Sequence, residues 1–381
     1  MSERVADPVT LPAMVPAAVE PPPPTPDRTR SGGRLNGLDL LRALACCLVF
    51  YTHVATWYRY KRDPMPVSDA IDEYVIGPLH LNKELGFVGV SLFFLISGFV
   101  MAHVATRERT GEFAVKRALR IFPALIVAVV LAWGLVNLGL YAVPGNPESS
   151  GVGDLLSNMF LVNFFVDGYT PLVGVAWTLV TQLAIYTMIG ALLLVFRRAP
   201  WIAIAVQITV CSVILSIMPN YTGLAASSIA NIGAFGTAIV LGEVIWLVWK
   251  RRAPLWAGFL LGAACWLVFT WGDSLGYGRY DDAYVLTLTL SALAVVLAVS
   301  AGTRIPRIRL VTYLSSRSYA VYLVHQTVAF TLLAQLWPDL PSIVAVSVSI
   351  AAVLLVAELI HRLVERPLAT VASSLTRRPA Q

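Results

Sequence analysis

Ten windows of about twenty apolar residues recur along this chain of 381 residues, each long enough to cross a ~30 Å hydrocarbon layer as a helix. They fall at roughly 38–57, 86–104, 119–141, 174–196, 200–218, 229–249, 255–271, 283–301, 318–337 and 342–363. Lipid offers no partner to a backbone N–H or C=O, so windows of this length must form helices that pack on one another. Composition agrees, with 57% of residues hydrophobic and 13% charged, where soluble domains carry about 25% charge. The expected fold is all-α: a polytopic transmembrane bundle of about ten spanning helices, with no room for a second soluble domain.

The net charge of +6 points to topology rather than to nucleic acid, because the basic residues gather in alternate connections. One side collects Arg107, Arg109, Lys116 and Arg117, then Arg197 and Arg198, then Lys250, Arg251 and Arg252, then Arg304, Arg307, Arg309 and Arg317, and finally Arg362, Arg366, Arg377 and Arg378. The other side holds Arg59, Lys61, Arg62, Lys83 and Arg279. The positive-inside rule then places both termini in the cytoplasm, as an even number of spans requires, and a plasma membrane is the expected location. Residues 1–33, rich in Pro and Ala with PPPP at 21–24, read as a disordered cytoplasmic tail and not as a signal peptide. Residues 34–370 read as the transmembrane domain and 371–381 as a cytoplasmic C-terminal tail. Cys46, Cys47, Cys211 and Cys265 all lie inside apolar windows without metal-ligand spacing, so they read as small core residues and no metal site is expected.

Asp39 to His53, DLLRALACCLVFYTH, opens the first window with ionisable groups that lipid does not tolerate. Arg42 and His53 are eleven residues apart, about three helical turns, and so lie on nearly one face some 16 Å apart. Charged groups at membrane depth cost ~2.5–3.5 kcal/mol on insertion scales and face a bundle interior or a wet cavity. Asp39, three residues before Arg42, is placed to pair with it, and Asn36 or Asp39 is placed to cap the helix. Snorkelling to the surface is the plainer reading of Arg42; His53, deep in the window, has no such outlet.

Further along, GVSLFFLISGF at 89–99 carries Ser97 and Gly98, small residues suited to close helix approach. In KRALRIFP at 116–123, Arg117 and Arg120 share a face at the edge of the third span. There they serve either as positive-inside anchors or as a bidentate phosphate clamp. The segment 142–173 contains DLLSNMFLVNFFVDGY, which reads as an interfacial or re-entrant helix. Trp177, Gln182 and Tyr186 open the fourth span, WTLVTQLAIY, and Gln182 needs a partner about two turns below the outer surface. The loop 58–85 is long, aromatic and charged, either a solvated connection or part of an acceptor-side entrance. Glu243 is a carboxylate at membrane depth, a functional candidate unless it pairs with Lys250 or a neighbouring helix. Tyr319, Tyr322 and His325 recur at intervals of three on one face of the ninth span. Glu358, His361 and Glu365 form a stripe near the end of the tenth, which Pro367 is expected to terminate.

A buried histidine below a basic rim fits two function classes. One is an enzyme in which histidine, with its pKa near neutrality, takes the proton from an attacking hydroxyl while arginines hold donor phosphates. The other is a transporter or flippase in which buried charges line a path, although such proteins often carry internal repeats, and none is visible here.

The motifs resemble those of the acyltransferase-3 family of bacterial integral membrane O-acyltransferases, over about 35–370. They are GLDLLRALACCLVFYTH, which fits an Arg-x10-His pattern, then GVSLFFLISGF, KRALRIFP, WTLVTQLAIY, SYAVYLVH and VERP, in order and on the matching spans. The resemblance implies at least ten transmembrane helices and an acyl donor at the cytoplasmic side. Acyl-CoA is the expected co-substrate, with no tightly bound cofactor, and the acceptor is a hydroxyl of a glycan, glycolipid or secondary metabolite. It assigns Arg42 and His53, with Asp39 beside them, to the catalytic group and makes His53 the base. Arg117 and Arg120 fall in the donor site, and Ser97, Tyr322 and His325 are expected with them; Trp177, Gln182 and Tyr186 are expected on the acceptor side. One departure stands out: where the family usually has Trp-Ser-Leu-x-x-Glu, this chain has Trp177, Thr178, Leu179 and then Gln182. An amide can orient a substrate but cannot exchange a proton as a carboxylate does.

Overall fold

A computed structural model describes residues 35–63, 65–141, 149–277 and 283–375. The Pro-rich tail 1–33, residues 278–282 of the loop 272–282, with Arg279, and residues 376–381 at the C-terminus lie outside these. All regular structure among the described residues is helical. Ten helices are long and apolar enough to cross a membrane: α1 (Asn36–Tyr60), α2 (Gly86–Ala105), α3 (Thr110–Asn137), α4 (Trp177–Ala191), α5 (Pro200–Ile217), α6 (Leu224–Trp249), α7 (Leu255–Ser274), α8 (Tyr284–Ala301), α9 (Arg309–Leu336) and α10 (Ser342–Ile360). An eleventh, α11 (Arg366–Leu375), follows α10. Odd-numbered spans therefore start at one end of the bundle, called here the arginine end because Arg107, Arg109, Arg117, Arg197, Arg251, Arg317 and Arg366 lie in or beside the connections there; the other is the loop end.

The core is built by α1, α2, α6 and α9. α2 packs on α1, α6, α4 and α8, while α1 packs on α9. Two glycines permit the tightest approach. A methyl group at Gly98 would stand 1.8 Å from the carbonyl oxygen of Ile239, and one at Gly242 would stand 2.0 Å from that of Leu95. Backbone thus meets backbone between α2 and α6, the small-residue mode of packing in lipid, where apolar burial supplies little net attraction.

Several local expectations change. Neither Asn36 nor Asp39 caps α1: Asn36 donates to the carbonyl of Ile305 at 2.9 Å, and Asp39 accepts from the Ser315 hydroxyl at 2.8 Å, so both tie α1 to the chain around α9. α3 begins at Thr110, earlier than the apolar window, because Glu112 and Lys116 pair at 2.6 Å and hold the charged first turns in helix. Pro367 does not end the tenth span. A π turn over His361–Glu365 precedes it, with the Arg366 amide reaching back to His361, and the wider turn lets the helix pass a residue that has no N–H to give. Cys46, Cys211 and Cys265 are buried, whereas Cys47 is exposed on the outside of the bundle. Beyond α3, Val152–Met159 forms a short helix, its first turn held by the Asp154 carboxylate, which accepts from the Gly151 amide at 2.9 Å.

Candidate functional site

His53 lies in the loop-end half of α1, and the ninth span brings His325 against it. Nδ1 of His325 is 2.7 Å from the carbonyl oxygen of Tyr322, so this nitrogen carries the proton and Nε2 presents a lone pair. That Nε2 is 3.1 Å from Nδ1 of His53, which is also 2.9 Å from the carbonyl of Val49. Both neighbours of His53 Nδ1 are acceptors, and the tautomer assigned from this network puts the His53 proton on Nδ1. Nε2 is left as a lone pair, and no described residue hydrogen-bonds to it. His325 is 1% exposed, while His53 is half-buried and lines a cavity.

That cavity, about 840 Å³, opens between α1, α2, α4, α6 and α8. Its apolar lining is aromatic, with Phe87, Trp177, Phe235 and Tyr284, and its polar lining is largely neutral, with Thr52, Thr56, Asn82, Thr181, Ser228 and Asn231. Arg59 and Glu84 sit on its wall, paired at 2.9 Å, and Thr56 donates to the same carboxylate. Glu84 and Leu85 have left-handed backbone, φ +56° and +58°. For residues with a side chain this costs ~1–3 kcal/mol each. The Thr52 hydroxyl donates to the Glu84 carbonyl at 2.8 Å, and the Asn82 side chain accepts from the Phe87 amide at 3.1 Å; together they hold the turn.

A second, smaller cavity of about 90 Å³ lies towards the arginine end. Arg42, Ser97, Arg117, Arg120, Thr178, Gln182, Tyr186, Tyr319 and Tyr322 line it. Ser97 joins the Tyr186 hydroxyl on one side and accepts from the Gln182 amide at 3.2 Å on the other. Arg42 lies 3.9 Å from Asp39. Arg117 is held by Glu108 at 3.3 Å and by the sulfur of Met101 at 3.3 Å, with its guanidinium over Phe113. Arg120 makes no ion pair or side-chain hydrogen bond with a described residue.

The two cavities have Val90 in common. Around it, the ring of Phe93 packs edge-on against Tyr322, and that of Phe94 edge-on against Trp177. Val90, with these ring pairs, therefore forms a partition between a guanidinium-lined space and a histidine-lined one.

The candidate residues are thus divided. Arg42, Ser97, Arg117, Arg120 and Tyr322 gather in the smaller cavity. Gln182 and Tyr186, expected on the acceptor side, line it as well, on one face of α4, while Trp177, Val180 and Thr181 on another face line the large cavity. His325, expected at the donor, lines neither cavity and stands behind His53. Ser97, read as a packing residue, reaches polar partners, while Gly98 alone makes the close approach. Glu243 is fully buried and accepts from Gln207 at 2.8 Å, a link between α5 and α6 away from both cavities. Glu358 is clamped by Arg317 at 2.7 Å and bonds Arg362, and His361 is 2.6 Å from Glu365, so that stripe ties α10 to α9 and braces the turn. Glu84 and Asn231 entered no motif. The polar start of α6, with Ser227, Ser228 and Asn231 ahead of an apolar run, was the available signal. Among the described residues no cluster of His, Cys, Asp or Glu is arranged to hold a metal ion.

A multi-pass membrane bundle with two polar cavities that share Val90, one of them lined by a histidine, defines a membrane-embedded site for group transfer or passage. The family model described as an acyltransferase domain matches residues 35–362, and the chain belongs to that family, acyltransferase-3. It is a membrane acyltransferase. It is 29% identical over 340 residues to nodulation protein 10 of Rhizobium leguminosarum bv. viciae, covering 82% of this chain and 88% of that one. It is 26% identical over 295 residues to acyltransferase MdmB of Streptomyces mycarofaciens, covering 74% and 70%. It is 22% identical over 362 residues to peptidoglycan O-acetyltransferase OatA of Listeria monocytogenes, covering 81% of this chain and 56% of that longer protein. No solved structure gives a significant match.

Proposed function

We propose that the protein, seated in the plasma membrane, transfers a short acyl group, acetyl above all, from acyl-CoA at the arginine end to a hydroxyl in the large cavity. By the distribution of positive charge the arginine end is cytoplasmic. The acceptor is a cell-envelope glycan, the class to which the peptidoglycan in the Listeria relative's name belongs, or else a glycolipid or a hydroxylated secondary metabolite. The observation that carries this reading is the shared Val90 wall, with the His53 lone pair on one side and the unpaired guanidinium of Arg120 on the other.

The chemistry follows from the residues present. Arg120 and Arg117 supply forked donors for donor phosphates. The acyl end extends past Ser97 and Tyr186 to the Val90 partition, which side-chain rotation must open. The acceptor hydroxyl, held among neutral amides and aromatic faces, attacks the thioester carbon. A C–O bond forms, the C–S bond breaks, His53 Nε2 takes the hydroxyl proton, and the proton passes to the leaving thiolate. As His53 gains positive charge, its Nδ1–H already points at the Val49 carbonyl and at His325 Nε2, so the developing imidazolium meets oriented acceptors. Gln182, through Ser97, orients the donor side and takes no proton.

The test is acyl transfer by purified protein in vesicles given isotope-labelled acetyl-CoA, alongside mass analysis of lipid and glycan fractions from cells with and without the protein. The expected result is label in an ester of the acceptor and a matching mass difference in cells. Movement of a substrate across the vesicle membrane with no acylated product would overturn the proposal in favour of a transporter.

A further inference from the structure

A third cavity, about 430 Å³, opens at the arginine end and shares Arg117, Arg120, Ser318 and Tyr319 with the smaller cavity above it. Its remaining lining comes from Lys116, from the start of α9 and from the segment after α10, including His361, Glu365 and Arg366. Most polar groups here are already engaged. Lys116 is paired with Glu108 at 2.9 Å and with Glu112 at 2.6 Å, and Arg117 with Glu108. Glu365 is paired with His361. The hydroxyls of Ser315, Ser316 and Ser318 donate to Asp39, the Tyr313 carbonyl and the Ser315 carbonyl, and Tyr319 donates to the carbonyl of Ile121.

Among the cations of this cavity Arg120 and Arg366 are the exceptions: neither side chain makes an ion pair or hydrogen bond with a described residue, while one carboxylate oxygen of Glu365 is buried without a hydrogen-bond partner. Arg120 lines the throat between the two cavities and Arg366 lines only the outer one. Two unengaged guanidiniums at successive stations along one connected space suit a ligand with two separated phosphate groups, since each fork can take one bidentately. The positive charge in the cavity exceeds the negative, with Lys116, Arg117, Arg120 and Arg366 against Glu365. The π turn at His361–Glu365 sits immediately before Arg366 and carries the helix past Pro367, so α11 stays along the cavity wall and does not leave it.

We propose that this outer cavity is a nucleotide-phosphate subsite: Arg366 binds the phosphate on the ribose of CoA, remote from the acyl group, while Arg120 binds the pyrophosphate at the throat. The assignment rests on acyl-CoA being the donor. A free guanidinium at a membrane surface has another common role, anchoring an anionic lipid headgroup, and the test separates the two.

The experiment measures the affinity of the purified full-length protein, in nanodiscs of zwitterionic lipid, for CoA and for 3′-dephospho-CoA. The wild type is expected to bind CoA about tenfold more tightly or better, as one charge-assisted contact allows. Arg366→Gln is expected to erase that preference while leaving the affinity for 3′-dephospho-CoA within about twofold, which also shows that the variant is folded. Arg366→Lys keeps charge without the fork and should restore part of it. Equal binding of the two ligands by the wild type, or a preference unchanged in Arg366→Gln as a headgroup anchor would give, overturns the subsite and leaves the donor reading standing. Binding of neither ligand by the wild type overturns the donor reading and the subsite together.

Discussion

The two inner cavities differ in size and charge, and in the proposed mechanism that contrast separates holding a donor from admitting an acceptor. The smaller, about 90 Å³, is lined by Arg42, Arg117 and Arg120, and its hydroxyls are chained through Gln182, Ser97 and Tyr186. The larger, about 840 Å³, offers aromatic faces, neutral polar groups and the Arg59–Glu84 pair, with one imidazole, His53, on its wall. A narrow, charged space fixes a small end group by direction, whereas a wide aromatic one accommodates bulk by shape. The same helices build both: α1 carries Arg42 to one and His53 to the other, and α4 carries Gln182 to one and Trp177 to the other. On α1 the difference lies in depth along the helix; on α4 it lies in face, since Thr178 and Leu179 line the smaller cavity and Val180 and Thr181 the larger.

If the partition at Val90 is the crossing point, Val90→Trp should block it. Acyl transfer should fall by about a thousandfold, since displacement of reacting groups by an ångström can cost about a hundredfold alone, while CoA affinity stays close to wild type. A large loss of CoA binding instead would mean that Val90 shapes the donor cavity and not the crossing. Behind the large cavity, His325→Leu removes one of the two acceptors facing His53 Nδ1. Turnover should drop ten- to a hundredfold, within the usual range of general-base assistance, with KM for both substrates little changed. His325→Gln, whose carbonyl can accept the same proton, should retain more activity than the leucine variant; equal losses would assign His325 to packing alone.

On the donor side, Arg120→Ala should weaken CoA binding by about tenfold and leave kcat nearly intact, as expected for loss of one charge-assisted contact. Unchanged CoA affinity would remove Arg120 from the donor site. The smallest effect is expected from Gln182→Glu, which restores the carboxylate usual at this position. Sharing the smaller cavity with Arg117 and Arg120 and a hydrogen bond with Ser97, it should change donor KM by about threefold or less and should not raise kcat. A tenfold gain in kcat would show that a proton-exchanging group belongs in this cavity after all.

The ten spans and their order were legible because apolar windows of this length admit one solution in lipid. Arg42 and His53 were legible as inward-facing because lipid excludes them, whereas Arg117 and Arg120 were legible only as a basic pair at the edge of a span. What could not be read was which of two stacked cavities a given face addresses. Gln182 and Tyr186 follow Trp177 by five and nine residues, and helical periodicity relates their directions without stating where the partition falls. Ser97 and Gly98 both looked like packing residues. The distinction depends on Ile239, on a helix more than 140 positions away, and on Tyr186. Glu84 stayed hidden as one charge among several in a loop, since its burial depends on Thr52, Thr56 and Arg59 of α1. The histidine pair is a contact of the same long-range kind: each residue was visible as a lone polar group in an apolar span, but nothing local joins positions 53 and 325.

The most direct measurement is acyl transfer by purified His53→Ala beside the wild type, with CoA affinity determined on the same preparations. Turnover should fall by about 10²–10⁴-fold, the contribution of a positioned general base, while CoA binds both proteins alike, because the proposed mechanism seats the donor's phosphates across the Val90 partition from this residue. Near-normal turnover in His53→Ala, with the protein folded and binding CoA, would contradict His53 as the base and with it the division of labour between the two cavities.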